Sequence, residues 1–293
     1  MDATLIIQNA VNGIFLGTMY GIAAIGLGLI FGTMRIVFIA QGSVLVFFAF
    51  LCYWGFTLLG IDPYLSIIPV LILSMLFGAG IYWLLFKEAS AMQDRIGSLL
   101  MAVGLMFIMN NIMIVLWTAT PRAVVTSYGF AQINLWGINF TETRLFGLVL
   151  AVIATLAVYF FLRRTLIGTA VRAASEDVEA AKIMGINPNL VNAVAFAIGI
   201  AMAAVAGVNV ATTYSFDPNY GFDVAIKALI ALTLGGLGSS FGALAGGILL
   251  GLIEVFSTYW VGAGWSQSVV FVIFILVLTV RPQGLFGRTS TKV

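Results

Sequence analysis

Apolar residues run along this chain in blocks of spanning length, separated by short polar turns. Such blocks lie at 5–31, 37–59, 64–86, 96–117, 145–162 and 191–213, each long enough to cross a bilayer as a helix. The region 224–260 is too long for one helix and is interrupted by glycines at Gly235, Gly236, Gly238 and Gly242. It predicts a short, half-length helix, a turn, and a full helix over 241–260. A last span at 266–280 stops at Arg281 and Pro282.

One long polar interruption, 163–190, breaks the pattern. Ser175 is placed to cap a helix, with Glu176, Asp177 and Glu179 in its first turn, Lys182 near its last, Gly185 just past its end and Pro188 beyond. A helix of about nine residues is too short to hold in water unaided, so it needs tertiary support. A solvated amphipathic linker is the plainer account of such a segment.

Composition makes the bilayer the solvent. Hydrophobic residues are 62% of the 293 and charged residues 8%, against roughly 25% charged in a soluble domain. One integral membrane domain over 1–293 accounts for the length, with no room for a soluble catalytic domain beside it. A net charge of +2 without a basic cluster argues against nucleic acid. The absence of histidine removes Ser-His-Asp, Cys-His and HExxH chemistry, and no Lys follows a Gly, so there is no phosphate loop. ATP-driven work would need another polypeptide. Cys52, alone in the chain, is read as an inert thiol within a span. With the N terminus outside, only Arg122, Arg144 and Lys227 of the 13 Lys and Arg fall on the outer side, a positive-inside bias that puts the C terminus inside. The outer loop 118–144 is either a connector or a surface for a binding protein.

Four motifs, in order, narrow the reading. They are Glu179-Ala180-Ala181 followed by Gly185, SFDPNYGF at 215–222, LGGLGSSFGALAGGILLG at 234–251 and RPQGLFGR at 281–288. Over nearly its whole length the chain resembles the permeases of branched-chain amino-acid ABC importers. The resemblance implies an all-α membrane bundle of the type II-like importer class, with about eight spans plus a short broken or re-entrant helix, in the bacterial inner membrane. It implies a second homologous permease, two cytoplasmic ATPases that use ATP and Mg, an external solute-binding protein, and no cofactor on this chain. Arg172, Ser175, Glu176, Asp177, Glu179, Ala180, Ala181 and Gly185 would then form the element that couples to an ATPase. Branched-chain amino acids are the implied cargo, with urea and short amides open. One departure stands out: Gln41, in Phe38-Ile39-Ala40-Gln41-Gly42, replaces a histidine usual in the family.

Gln41, Asn110, Asn111, Asn209, Thr212 and Thr213 are candidates to line a translocation path, although each could instead bond a neighbouring helix. Gly13, Gly17 and Gly21, and Gly238, Gly242 and Gly246 with Gly247 and Gly251 offset by one, predict close helix packing. Glu254 is the best intramembrane ionisable residue, and no chain of acids suggests a proton route. Asn9 to Asn12 and Asn189 to Asn192 open two spans with Ala-Ala at matching offsets, a faint inverted echo. A passive channel for small neutral solutes and a secondary carrier are the rival classes.

Overall fold

The computed structural model describes residues 3–92, 95–129, 131–135, 138–236, 239–281 and 283–285. In order they form α1 (Ala3–Met34), α2 (Gln41–Leu59), α3 (Ile67–Ile81) continued through a π-turn at Tyr82–Phe86 into α4 (Lys87–Met92), and α5 (Arg95–Trp117). A hairpin of β1 (Gln132–Leu135) and β2 (Ile138–Thr141) precedes α6 (Glu142–Arg164), α7 (Leu166–Glu176) and α8 (Val178–Ile183). The chain continues with α9 (Pro188–Thr213), α10 (Tyr220–Gly235), α11 (Ser240–Val261) and α12 (Ala263–Val280). Among the described residues, 8 helices are long and apolar enough to cross a membrane, and the 16-residue α10 is not one of them. Helices dominate because lipid offers no partner for a bare peptide group.

The bundle is built around α1 and α9. Their apolar stretches are 78% and 83% buried, whereas that of α12 is 11% buried, so α12 is peripheral. Small residues make this possible. Gly13, Gly17 and Gly21 of α1 face Leu252, Gly247 and Leu244 of α11 so closely that a Cβ on Gly17 would meet Ile248 Cα at 2.5 Å. Gly242 and Gly246 face the other way, onto Gly235 and Ala231 of α10. Two glycine rows one residue apart are rotated by about 100° on a helix, and α11 is accordingly wedged between two backbones at once.

Two helices begin inside the bundle. After Arg35, in a left-handed turn (φ 54°), the chain leaves helical geometry and buries Phe38 against Phe86 and Phe196, at ring distances of 5.6 and 4.9 Å. The first residue of α2, Gln41, then donates from Nε2 to the Gly199 carbonyl at 3.1 Å. Gly199 is the twelfth residue of α9, about 17 Å along it at 1.5 Å per residue, so α2 starts well within the depth of the bundle. Gly221, in the first turn of α10, lies against the Gly42 carbonyl. The starts of α2 and α10 thus meet, and α1 and α9, which lead into them, run antiparallel. The faint echo at the starts of α1 and α9 falls on these two units.

The loop 118–144 holds more structure than its polar punctuation predicts. Gln132 pairs with Thr141 and Leu135 with Ile138 in the antiparallel hairpin, and Arg122 forms a two-way bridge with Phe216, at 2.8 and 2.9 Å. Gln8 of α1 reaches the hairpin: its Nε2 donates to Asn139 O at 2.6 Å, and its Oε1 accepts from Asn139 N at 2.9 Å. Lys227 corrects another expectation. Counted on the outer side, it sits midway along α10 inside the bundle, paired with Glu254. Gly238, Trp136, Pro282, Arg288 and Lys292 fall outside the described residues.

Candidate docking element and translocation path

The polar segment folds as two short helices on the end of the bundle opposite the hairpin. Thr165, extended, ends α6, and its Oγ1 accepts from Gly168 N at 2.9 Å to start α7. Asp177, extended again, breaks α7 from α8 and caps α8, its Oδ1 accepting from Glu179 N at 2.9 Å and Ala180 N at 3.0 Å. Ser175 is therefore not the cap. It lies within α7 with its hydroxyl donated to Arg172 O at 2.7 Å, and Glu176 ends α7 rather than opening the next helix. Asp177, expected in the first turn, takes the extended backbone a cap requires, whereas Ser175 is helical.

The stop signals lie where the sequence puts them. Gly185 is left-handed (φ 82°), and Gly185 N and Ile186 N bond Lys182 O and Ala181 O at 2.9 and 3.0 Å. Pro188 does more than end a helix: it opens α9, which Asn187 caps by accepting from Asn189 N at 3.0 Å.

The support that short helices need comes from a small separate core of Val171, Ala174, Ala181, Val191 and Ala195. Of the paired alanines, Ala181 points into that core and Ala180 points out. On the open side Leu166, Ile183 and Met184 are 92%, 85% and 81% exposed, among exposed Arg172 and the Glu179–Lys182 ion pair at 2.8 Å. Large apolar side chains bare on a polar, charged element form the kind of patch that marks a partner surface. A cleft of about 90 Å³ lies behind it, lined by Gly28 and Gly32 of α1, Arg172 and Ser175 of α7, Leu232 of α10 and Ser239 next to α11. The segment therefore abuts the break between α10 and α11.

At that break α10 ends on Gly235, Gly236 turns with φ 91°, and Ser239 caps α11 by accepting from Gly242 N at 3.0 Å. The chain's last described stretch returns here, Leu285 N donating to Leu234 O at 2.8 Å.

The polar candidates for a path do not converge on one lumen. Gln41 is 1% exposed at the junction of α2 and α10, and among the described residues neither its Oε1 nor Ser43 Oγ has a hydrogen-bond partner. Asn209, Thr212 and Thr213 cluster at the far end of α9. Asn209 Oδ1 accepts from Thr213 at 3.2 Å, and Thr212 donates back to Val208 and Asn209 carbonyls, both at 3.1 Å. On α5, Asn111 is exposed and bonds its own helix at Phe107 O (2.8 Å), while Asn110 Oδ1 is buried without a partner among the described residues.

One ion pair inside the bundle escaped the sequence. Lys227 Nζ of α10 donates to Glu254 Oε1 of α11 at 2.6 Å and to Tyr20 Oη of α1 at 3.1 Å. The signal was there, a lone Lys in the apolar run from Val224 to Gly236, which in a membrane calls for a nearby acid.

The profile of the family described as "Branched-chain amino acid transport system / permease component" matches residues 9–278. The chain belongs to this family. It is 30% identical to the high-affinity branched-chain amino acid transport system permease protein BraD of Pseudomonas aeruginosa, over 98% of this chain and 97% of that one. It has the same identity and coverage with LivH of Escherichia coli K12, described in the same words. LivM of the same bacterium matches at 31% identity over 49% of this chain and 34% of its own. No solved structure matches the permease significantly.

Proposed function

We propose that this permease is one membrane subunit of an ATP-driven importer of branched-chain amino acids, paired with a second permease and served by two cytoplasmic ATPases and an external binding protein. The cargo follows from the relatives BraD and LivH, and the partial likeness to LivM supports a related second permease. The observation that carries the coupling role is the α7–α8 unit. It presents Leu166, Ile183, Met184 and Ala180 outward while its inner face is locked to α9 by Ala181 and Val191. In this reading that end faces the cytoplasm, with the hairpin outside.

An ATPase groove covers the bare apolar side chains, and ATP-driven closure displaces α7 and α8 together. The displacement passes to α9 through the small core, and across the cleft to α1 and to the break at Gly235 and Gly236. The permease makes and breaks no covalent bond. Gln41, with unspent hydrogen-bonding capacity where α2 and α10 begin, lies in the path that this motion opens.

The experiment is to tag the chain, extract it gently from its native membrane and identify co-purifying proteins by mass spectrometry. An ATPase and a second permease are expected, with leucine-stimulated ATP hydrolysis lost in Glu179→Arg/Gly185→Pro. A self-assembled oligomer free of any ATPase, passing leucine without ATP in proteoliposomes, would overturn the reading.

A further inference from the structure

Tyr20 lies near the middle of the 32-residue α1, Lys227 midway along α10 and Glu254 in the second half of the 22-residue α11. Their polar groups meet inside the bundle. A buried ion pair is a weak source of stability, because desolvating two charges offsets their attraction. Charges within a membrane mark a pathway more often than they hold a fold together.

The pair also has capacity left over. An ammonium has three donors, and Lys227 directs two of them, to Glu254 and Tyr20. Glu254 Oε2 has no partner among the described residues. Among the described residues, one donor and one acceptor therefore remain unengaged on adjacent, opposite charges. The two side chains are 19% and 17% exposed, although Glu254 Oε2 itself is buried, so a ligand reaches it as the pair opens.

We infer that Lys227 and Glu254 bind the zwitterionic head group of the transported amino acid, its carboxylate on Lys227 and its ammonium on Glu254. This rests on the importer reading above. A free amino acid is itself a linked cation and anion, so it can replace the pair's internal contact charge for charge. No step then leaves a bare charge in the bilayer. Lys227 and Glu254 stand on opposite sides of the Gly235–Gly236 break, so the exchange also unfastens α10 from α11 when substrate is present. Tyr20 Oη keeps a hydrogen bond to Lys227 through the exchange and holds the ammonium in place. Neutral amides, which carry no charge to trade, are poor ligands for such a site.

The test uses the complete transporter in proteoliposomes, with leucine as the probe. Lys227→Met/Glu254→Gln removes both charges and leaves none unpaired. The KM for leucine uptake is expected to rise at least tenfold in transporter whose assembly is verified by size-exclusion chromatography. Lys227→Arg and Glu254→Asp keep the charges, and with them assembly, but displace the groups, and each is expected to raise KM several-fold. 3-Methylbutylamine and 4-methylpentanoate, each lacking one of leucine's charges, are expected not to compete. Leucine uptake with unchanged KM in both conservative variants would overturn the site alone. Absence of ATP-dependent leucine uptake in the unmodified transporter would overturn the importer reading and the site with it.

Discussion

Gly42 and Gly221 meet backbone to backbone where α2 and α10 begin, a Cβ on Gly221 falling 2.7 Å from the Gly42 carbonyl carbon. Neither position has room for a side chain. Gly42→Ala and Gly221→Ala force backbone apart, an overpacking cost of about 1–3 kcal/mol each. The measurement is the midpoint of thermal aggregation of the purified complex, expected to fall for both. Gly104→Ala, where nothing stands within 4 Å, is expected to leave it unchanged or slightly raised.

The cap of α8 separates two residues that look alike in sequence. Asp177→Ala removes acceptors from Glu179 N and Ala180 N and is expected to cost about 1 kcal/mol. Ser175→Ala removes only a bond to its own helix. Hydrogen exchange across 178–184 should quicken in the first variant and stay unchanged in the second. Equal protection in both would show that Asp177 does not hold the helix.

Gly185→Ala tests the exit turn of α8 by itself. At φ 82° a Cβ is strained by about 1–2 kcal/mol, although the space around it is open. Leucine-stimulated hydrolysis is expected to fall relative to basal hydrolysis as the end of α8 loosens. An unchanged ratio would remove Gly185 from the coupling route.

Tyr64, in the turn between α2 and α3, donates to Thr143 O at 3.1 Å. Burial pushes its hydroxyl up to about 12, the Thr212 hydrogen bond opposing and the Asp62 charge reinforcing the shift. The folded form holds this proton more tightly than the unfolded chain does. Its stability contribution is therefore complete below pH 10, the ordinary tyrosine value, and is lost as pH rises through 12. Comparing thermal midpoints of Tyr64→Phe and the unmodified protein between pH 9 and 11.5 should show the unmodified protein falling more steeply above pH 10. Parallel curves would contradict this.

The sequence made the spans legible because a bilayer demands long apolar helices, and the helix break because Gly235 and Gly236 leave few other choices. Depth was not legible. The residues between Arg35 and Gln41 are as apolar as a helix interior, and hydropathy does not say that they leave the helix and turn within the bundle to start α2 beneath its surface. The hairpin was missed although Ile133, Leu135, Ile138 and Phe140 alternate, since each strand is only 4 residues long. Lys227 was placed by counting basic residues per side, a rule for loops that does not apply to a lysine whose partner stands 27 residues away on another helix. The candidate docking residues lie together in α7, α8 and the turn after them, but which alanine faces outward depends on packing against Val191 and Ala195, contacts that no local pattern records.

Gln8 gives the hairpin something its own strands lack. The free edge of β2 exposes the N–H and C=O of Asn139, and the Gln8 carboxamide meets both, as the backbone of a third strand would. A single side chain thus acts as a plug, denying a neighbouring chain the first rung of an intermolecular sheet. The same plug anchors the start of α1, so the glycine row that clasps α11 is held in register from a point 131 residues further along the chain.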